Sequence, residues 1–114
     1  MKPMKYIASS CMTMLVSDIT KLGMPKECKG VMPELWISTA KKILDLTKKF
    51  PSIKCTIDSP TVDKWIGKDK EGNELLYLRF RIELYGYKEG YDWIGPDNPK
   101  DIEVNDDKNW KKLI

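Results

Sequence analysis

Between residues 76 and 84 the chain alternates, apolar then polar, at every position. Leu76, Leu78, Phe80, Ile82 and Leu84 form one row, and Tyr77, Arg79, Arg81 and Glu83 form the other. Side chains of a strand point to opposite faces with period two, so the segment predicts a β-strand with one buried and one open face. The open row runs on through Tyr85 and Tyr87. Burying five such apolar side chains is worth roughly 8–15 kcal/mol before chain entropy is subtracted. This strand is the expected centre of the core.

Shorter alternating runs precede it. Ile53, Cys55 and Ile57 alternate with Lys54, Thr56 and Asp58, and Ser59-Pro60 ends the run. Residues 62–67 read as a second short strand, and Lys68-Asp69-Lys70-Glu71-Gly72-Asn73 supplies a hairpin connection into the long one. Three consecutive strands of this kind predict an antiparallel meander. Upstream the period changes to that of a helix. Leu35, Trp36, Thr39, Ala40, Ile43, Leu44, Leu46 and Phe50 form a wide apolar face, with Pro33 suited to the first helical position and Pro51 as the terminator. Residues 6–22 also show three- and four-residue apolar spacing (Tyr6, Ile7, Cys11, Met14, Leu15, Ile19, Leu22) and predict another helix stopped by Gly23 and Pro25. Their Ser and Thr lower helix propensity, and a strand over 5–9 followed by a shorter helix is the alternative. Near the C-terminus, Ile102-Glu103-Val104 suggests an edge strand and Asn105 a cap for a last helical turn through Trp110, Leu113 and Ile114. The expected fold is one α+β domain over residues 1–114. It is a two-layer sandwich of two N-terminal helices on a three- to four-stranded antiparallel meander, with a short C-terminal helical turn.

Composition narrows the class. A chain of 114 residues, 41% hydrophobic and 32% charged, suits one domain that needs no staple. Its apolar runs fall far short of the ~20 residues that span a bilayer. Cys11, Cys28 and Cys55 are an odd set without a CxxC pair, and histidine is absent. Reduced thiols in an intracellular, cytoplasmic protein are expected, with no metal; Cys28, between Lys26 and Lys29, is the thiol expected to react most readily. Residues 1–57 carry ten Lys and four acids, and residues 58–114 carry eight Lys, two Arg and thirteen acids. The front half is therefore +6 and the back half −3. Lysine outnumbers arginine by eighteen to two, a skew that accompanies AT-rich coding sequence, as in some phages and low-GC bacteria.

Without histidine the commonest general base and the Ser-His and Cys-His nucleophile pairs are missing. Phosphate-binding glycine loops are absent too. Asp97 with Asp101, and Glu103 with Asp106 and Asp107, sit in polar, lysine-interleaved surroundings that favour solvated carboxylates over a desolvated pair. A non-enzymatic protein without a cofactor is expected. The best candidate site is the polar side of the long strand, because Tyr and Arg combine large contact area with directional hydrogen bonding. It comprises Tyr77, Arg79, Arg81, Glu83, Tyr85 and Tyr87, with Tyr91 and Trp93 extending it. The expected partner is another protein, as for a stoichiometric inhibitor, an immunity protein or a phage anti-defence factor. One alternative is a nucleic-acid-binding module using that face and the basic N-terminal half, with Lys41, Lys42, Lys48 and Lys49 of the helix as its basic face, although the strand lacks the glycines of the RNP1 pattern. Another is a pocket for a nucleotide-like small molecule built from Tyr85, Tyr87, Tyr91 and Trp93. A long strand left at a sheet edge would also favour a homodimer.

Overall fold

A computed structural model describes residues 1–18 and 28–114. Strand β1 (Met4–Leu15) leads through a short 3-10 turn (Val16–Asp18); after it come helix α1 (Cys28–Lys49), β2 (Ile53–Ile57), β3 (Thr61–Lys68) and β4 (Glu74–Lys88). Strand β5 (Tyr91–Trp93), a single helical turn α2 (Asp101–Val104), a 3-10 turn (Asp107–Asn109) and β6 (Trp110–Lys112) complete the chain.

The predicted long strand is β4, and it is the axis of the sheet. Leu78, Phe80, Ile82 and Leu84 are buried, as their spacing requires. The hairpin before it forms as expected: Gly72 takes φ 84° and the Asp69 carboxylate accepts the backbone N–H groups of Glu71 and Asn73 at 2.9 and 2.8 Å. What flanks β4 differs from the expectation. Among the described residues there is one long helix, not two N-terminal ones. The segment expected as the first helix is β1, which pairs with β4 over twelve consecutive residues from Met4↔Gly86 to Leu15↔Leu75; the last residues of that expected helix, 19–22, lie outside the described part. The apolar residues of 4–15 satisfy both periods, and Met4, Tyr6, Met12 and Met14 fall on the core side when read by twos. A fifteen-residue central strand leaves a ladder of N–H and C=O groups on each side, and pairing them outweighs the weak helix propensity of this Ser/Thr-rich segment.

The meander is also corrected. β2 and β3 do not pair with each other; both lie on the other side of β4, end to end. β3 takes residues 74–81 and β2 takes 84–88, and Asp58 N–H to Glu83 O (2.9 Å) bridges the junction. Ser59-Pro60 therefore joins two collinear strands, because one long strand offers room for both.

Helix α1 covers one face of this sheet. Ile43 and Leu46 of its C-terminal half, with Phe50 just beyond it, pack against Met4, Tyr6, Ile53 and Leu84; its N-terminal half packs Cys28, Val31, Met32 and Leu35 against Met12, Leu76, Leu78 and Phe80. Pro33 lies inside the helix, not at its start, and forgoes one backbone bond close to that end. Pro51 ends it as expected. The C-terminal segment closes one end of the core, where Trp93, Val104 and Trp110 join the larger cluster and the two indoles meet edge-on at 4.9 Å. Ile102–Val104 is a helical turn and Trp110 starts a strand, the reverse of the expected order. Gly95 is required there, since a Cβ would come within 2.5 Å of the buried Trp93 ring.

One four-stranded sheet under one long helix makes a long molecule. The radius of gyration is 18.3 Å, against about 13 Å for a compact chain of this length, and the long axis is 56 Å. Among the described residues no helix is long and apolar enough to cross a membrane.

Candidate interaction face

The face of the sheet opposite α1 carries the row singled out in the sequence. Tyr77, Arg79, Arg81, Glu83, Tyr85 and Tyr87 all project there, each half-buried by its neighbours. The register fixes what stands beside them, because directly paired residues share a face. On one side are Lys5, Ile7, Ser9, Cys11 and Thr13 of β1; on the other are Thr61, Asp63 and Trp65 of β3 and Lys54 and Thr56 of β2.

Two groupings organise the surface. At one end Trp65 and Tyr77, directly opposite across β3 and β4, stack with ring centroids 5.5 Å apart and planes only 4° from parallel. The Tyr77 ring lies over Gly67, where a Cβ would come within 2.9 Å, so the glycine gives the ring its seat. Trp65 remains 47% exposed, a large flat apolar surface facing solvent. Arg79 next to it bonds Asp63, with Nε at 3.0 Å from the carboxylate.

Toward the other end Glu83 is the hub. Arg81 donates to it at 2.6 Å, the Tyr85 hydroxyl donates to its other oxygen, and the Lys5 ammonium stands 4.0 Å away. The Tyr85 hydrogen bond, then Arg81 and Lys5, hold the Glu83 carboxyl below its ordinary range. The same hydrogen bond pushes the Tyr85 phenol well above its own. Both arginines are thus held in place by acids of the same face. Each stays partly exposed to solvent.

The remaining expected site residues are placed elsewhere. Trp93 is 2% exposed, in the core on the helix side, with its indole N–H donated to Pro96 O at 3.0 Å. Tyr91 packs against the same cluster under the Lys88 ammonium. Tyr85 and Tyr87 therefore do not converge with Tyr91 and Trp93 on one pocket. Among the lysines of α1, Lys42 sits 4.1 Å above the Tyr6 ring and Lys49 pairs with Asp101 at 2.7 Å; Lys41 and Lys48 point to solvent. Cys28 is fully buried and Cys11 is the exposed thiol, so the expected order of reactivity is corrected. Cys55, half-buried, has its thiol pushed up by that burial.

The C-terminal carboxylates are used locally. Asp101 holds Lys49, Glu103 accepts the Lys100 N–H at 2.9 Å, and Asp106 accepts the Lys108 N–H at 3.1 Å. Among the described residues no group of His, Cys, Asp and Glu is arranged to hold a metal ion. A cleft of about 170 Å³ between α1 and β1, lined by Tyr6, Ala8, Ser38, Thr39 and Lys42, brings together no acid–base pair.

Sequence reasoning missed Trp65, the most exposed aromatic of this face. Its place follows only from the register that sets it opposite Tyr77. Comparison with protein-family models, curated proteins and solved structures finds no match to this chain.

Proposed function

We propose that this chain is a binding protein without chemistry of its own, and that a protein partner docks on the Tyr/Arg face of its sheet. The stacked Trp65–Tyr77 pair beside Arg79 is the observation that carries the reading. Trp, Tyr and Arg dominate the energetics of protein interfaces, and here the two rings are already stacked and Arg79 already paired with Asp63, an arrangement that reduces the ordering cost of association. The acids Asp63 and Glu83 interleave with the arginines, so the face has mixed charge. That suits a protein surface better than a phosphate backbone, which calls for unpaired positive charge. A stoichiometric inhibitor or immunity-type protein is the class this arrangement fits.

The test is affinity capture from the native host with wild type, Trp65→Ala, Tyr77→Ala and the distant control Lys111→Ala, each with its melting temperature measured. Wild type and the control should retain one protein species. Each aromatic variant should weaken its binding by roughly 30-fold or more, as for hot-spot truncations of ~2 kcal/mol, with little change in melting temperature. Equal capture by all four proteins would sink the reading. So would a captured nucleic acid released between about 50 and 200 mM salt.

A further inference from the structure

The two edges of the sheet are not alike. The β2–β3 edge carries Lys54, Asp63, Lys64 and Lys68, the charges by which natural edge strands resist pairing with another chain. The β1 edge has one, Lys5, near its start. From Tyr6 through Ser17 there is no charge, no proline and no glycine, and the uninterrupted register with β4 leaves no bulge.

Which backbone groups are open on that edge is set by the fold. The Ile7 N–H donates to Asn98 Oδ1 at 2.7 Å and the Asn98 N–H donates to Lys5 O at 2.9 Å, so odd-numbered residues of β1 turn their backbone groups away from β4. Asn98, at φ 52°, thus clips the first part of the edge. Beyond it, among the described residues, the Ile7 carbonyl, both groups of Ser9, Cys11 and Thr13, and the Leu15 N–H face outward without a backbone partner. This open ladder is symmetric about Cys11.

We propose that β1 pairs antiparallel with β1 of a second copy of this chain, on a twofold axis through Cys11. The pairing matches like with like. Ser9 meets the second copy's Thr13, Ile7 meets its Leu15, and on the core side Ala8 meets its Met14 and Ser10 its Met12. Exchanging bonds at alternate residues gives about eight inter-chain hydrogen bonds. The strand also ends where it must: Leu15 lies opposite Ile7, and the chain then turns away at Val16 just as the other copy's Asn98 clip begins. The first charges beyond the stretch are Lys5 and Asp18, of opposite sign, and the antiparallel arrangement brings one copy's Lys5 to the end where the other's Asp18 lies. The product is a continuous eight-stranded sheet with two Trp65–Tyr77 platforms on one face. This inference stands apart from the proposed partner binding, since its surface is an edge and not a face.

Sedimentation equilibrium on the full chain over a wide concentration range, with a short bismaleimide as cross-linker, tests it. The mass should rise with concentration from 13.2 kDa to twice that value, and the cross-linked peptide should contain Cys11 from both copies. Thr13→Pro removes an outward N–H that takes no part in the β4 ladder, and Cys11→Lys sets like charges face to face on the axis. Either variant should keep the far-ultraviolet spectrum and stay at the monomer mass. A wild type that remains a monomer throughout overturns the proposal, as does a dimer that persists in a folded Thr13→Pro or Cys11→Lys variant. If both variants unfold, the wild-type cross-link decides: dimers linked at Cys11 support the pairing, and dimers without that link overturn it.

Discussion

At the scale of single residues, Glu83 has the most consequences. It gathers Arg81, Tyr85 and Lys5 on an open sheet face, where single ion pairs are worth little because solvent screens them. The sign of its effect is nevertheless defined. Its carboxyl is held lower in the fold than in the unfolded chain, so its contribution is present above about pH 4.3 and is lost as pH falls through the lowered value. Urea titrations in that acid window should show wild type losing stability more steeply than Glu83→Gln, by on the order of 1 kcal/mol or less. Parallel slopes would show that the cluster has no such linkage. Sequence alternation placed Glu83, Arg81 and Tyr85 on one face, since period two is a local property. Which of these side chains would bond to each other depended on rotamers and on Lys5, which only the β1 register brings near.

At the scale of elements, α1 shows where an apolar stripe and a core part ways. Its stripe as read from the sequence included Trp36 and Leu44, yet these are 44% and 57% exposed, while Leu46 is 3% exposed. One helix on a sheet this wide buries only the strip it touches. Leu46→Ala should therefore cost about 2–5 kcal/mol, whereas Leu44→Lys should stay within about 0.5 kcal/mol of wild type in the same denaturation assay. Comparable losses for the two would show the flank of α1 to be covered in solution. β1 teaches the complementary lesson. Its residues carry weak and mixed local signals, and no inspection of 4–15 alone distinguishes strand from helix. The decision belongs to β4, whose second ladder of backbone groups requires a partner of this length.

At the scale of the whole molecule, the core formed by the described residues is lopsided. Among them, eight buried residues gather where β1 begins, β4 ends and the C-terminal segment folds over; three gather at the other end. Local openings should follow that gradient, because fewer apolar contacts make an opening cheaper. Amide exchange should be slowest around Leu84–Gly86, paired on both sides near the larger cluster, and faster toward Leu75–Tyr77 at the distal end of the same strand. Uniform protection along β4 would contradict this. The proposed face shares the uneven layout, since the Trp65–Tyr77 stack stands at the lightly packed end and the Glu83 hub stands over the heavier one.

By itself the sequence determined β2, β3 and β4, the hairpin at Gly72, the end of α1 at Pro51 and the sidedness of the Tyr/Arg row. All of these rest on short-range periodicity and turn chemistry, which a chain carries without reference to its fold. Tertiary structure decided the rest: that residues 4–15 are a strand, that β2 and β3 lie end to end, that Trp93 is interior and that Trp65 stands beside Tyr77. Each of these depends on hydrogen-bond ladders and contacts between residues far apart in the chain. The energy of such pairings is written in no single segment, and a central strand with two ladders to fill is what selects among them.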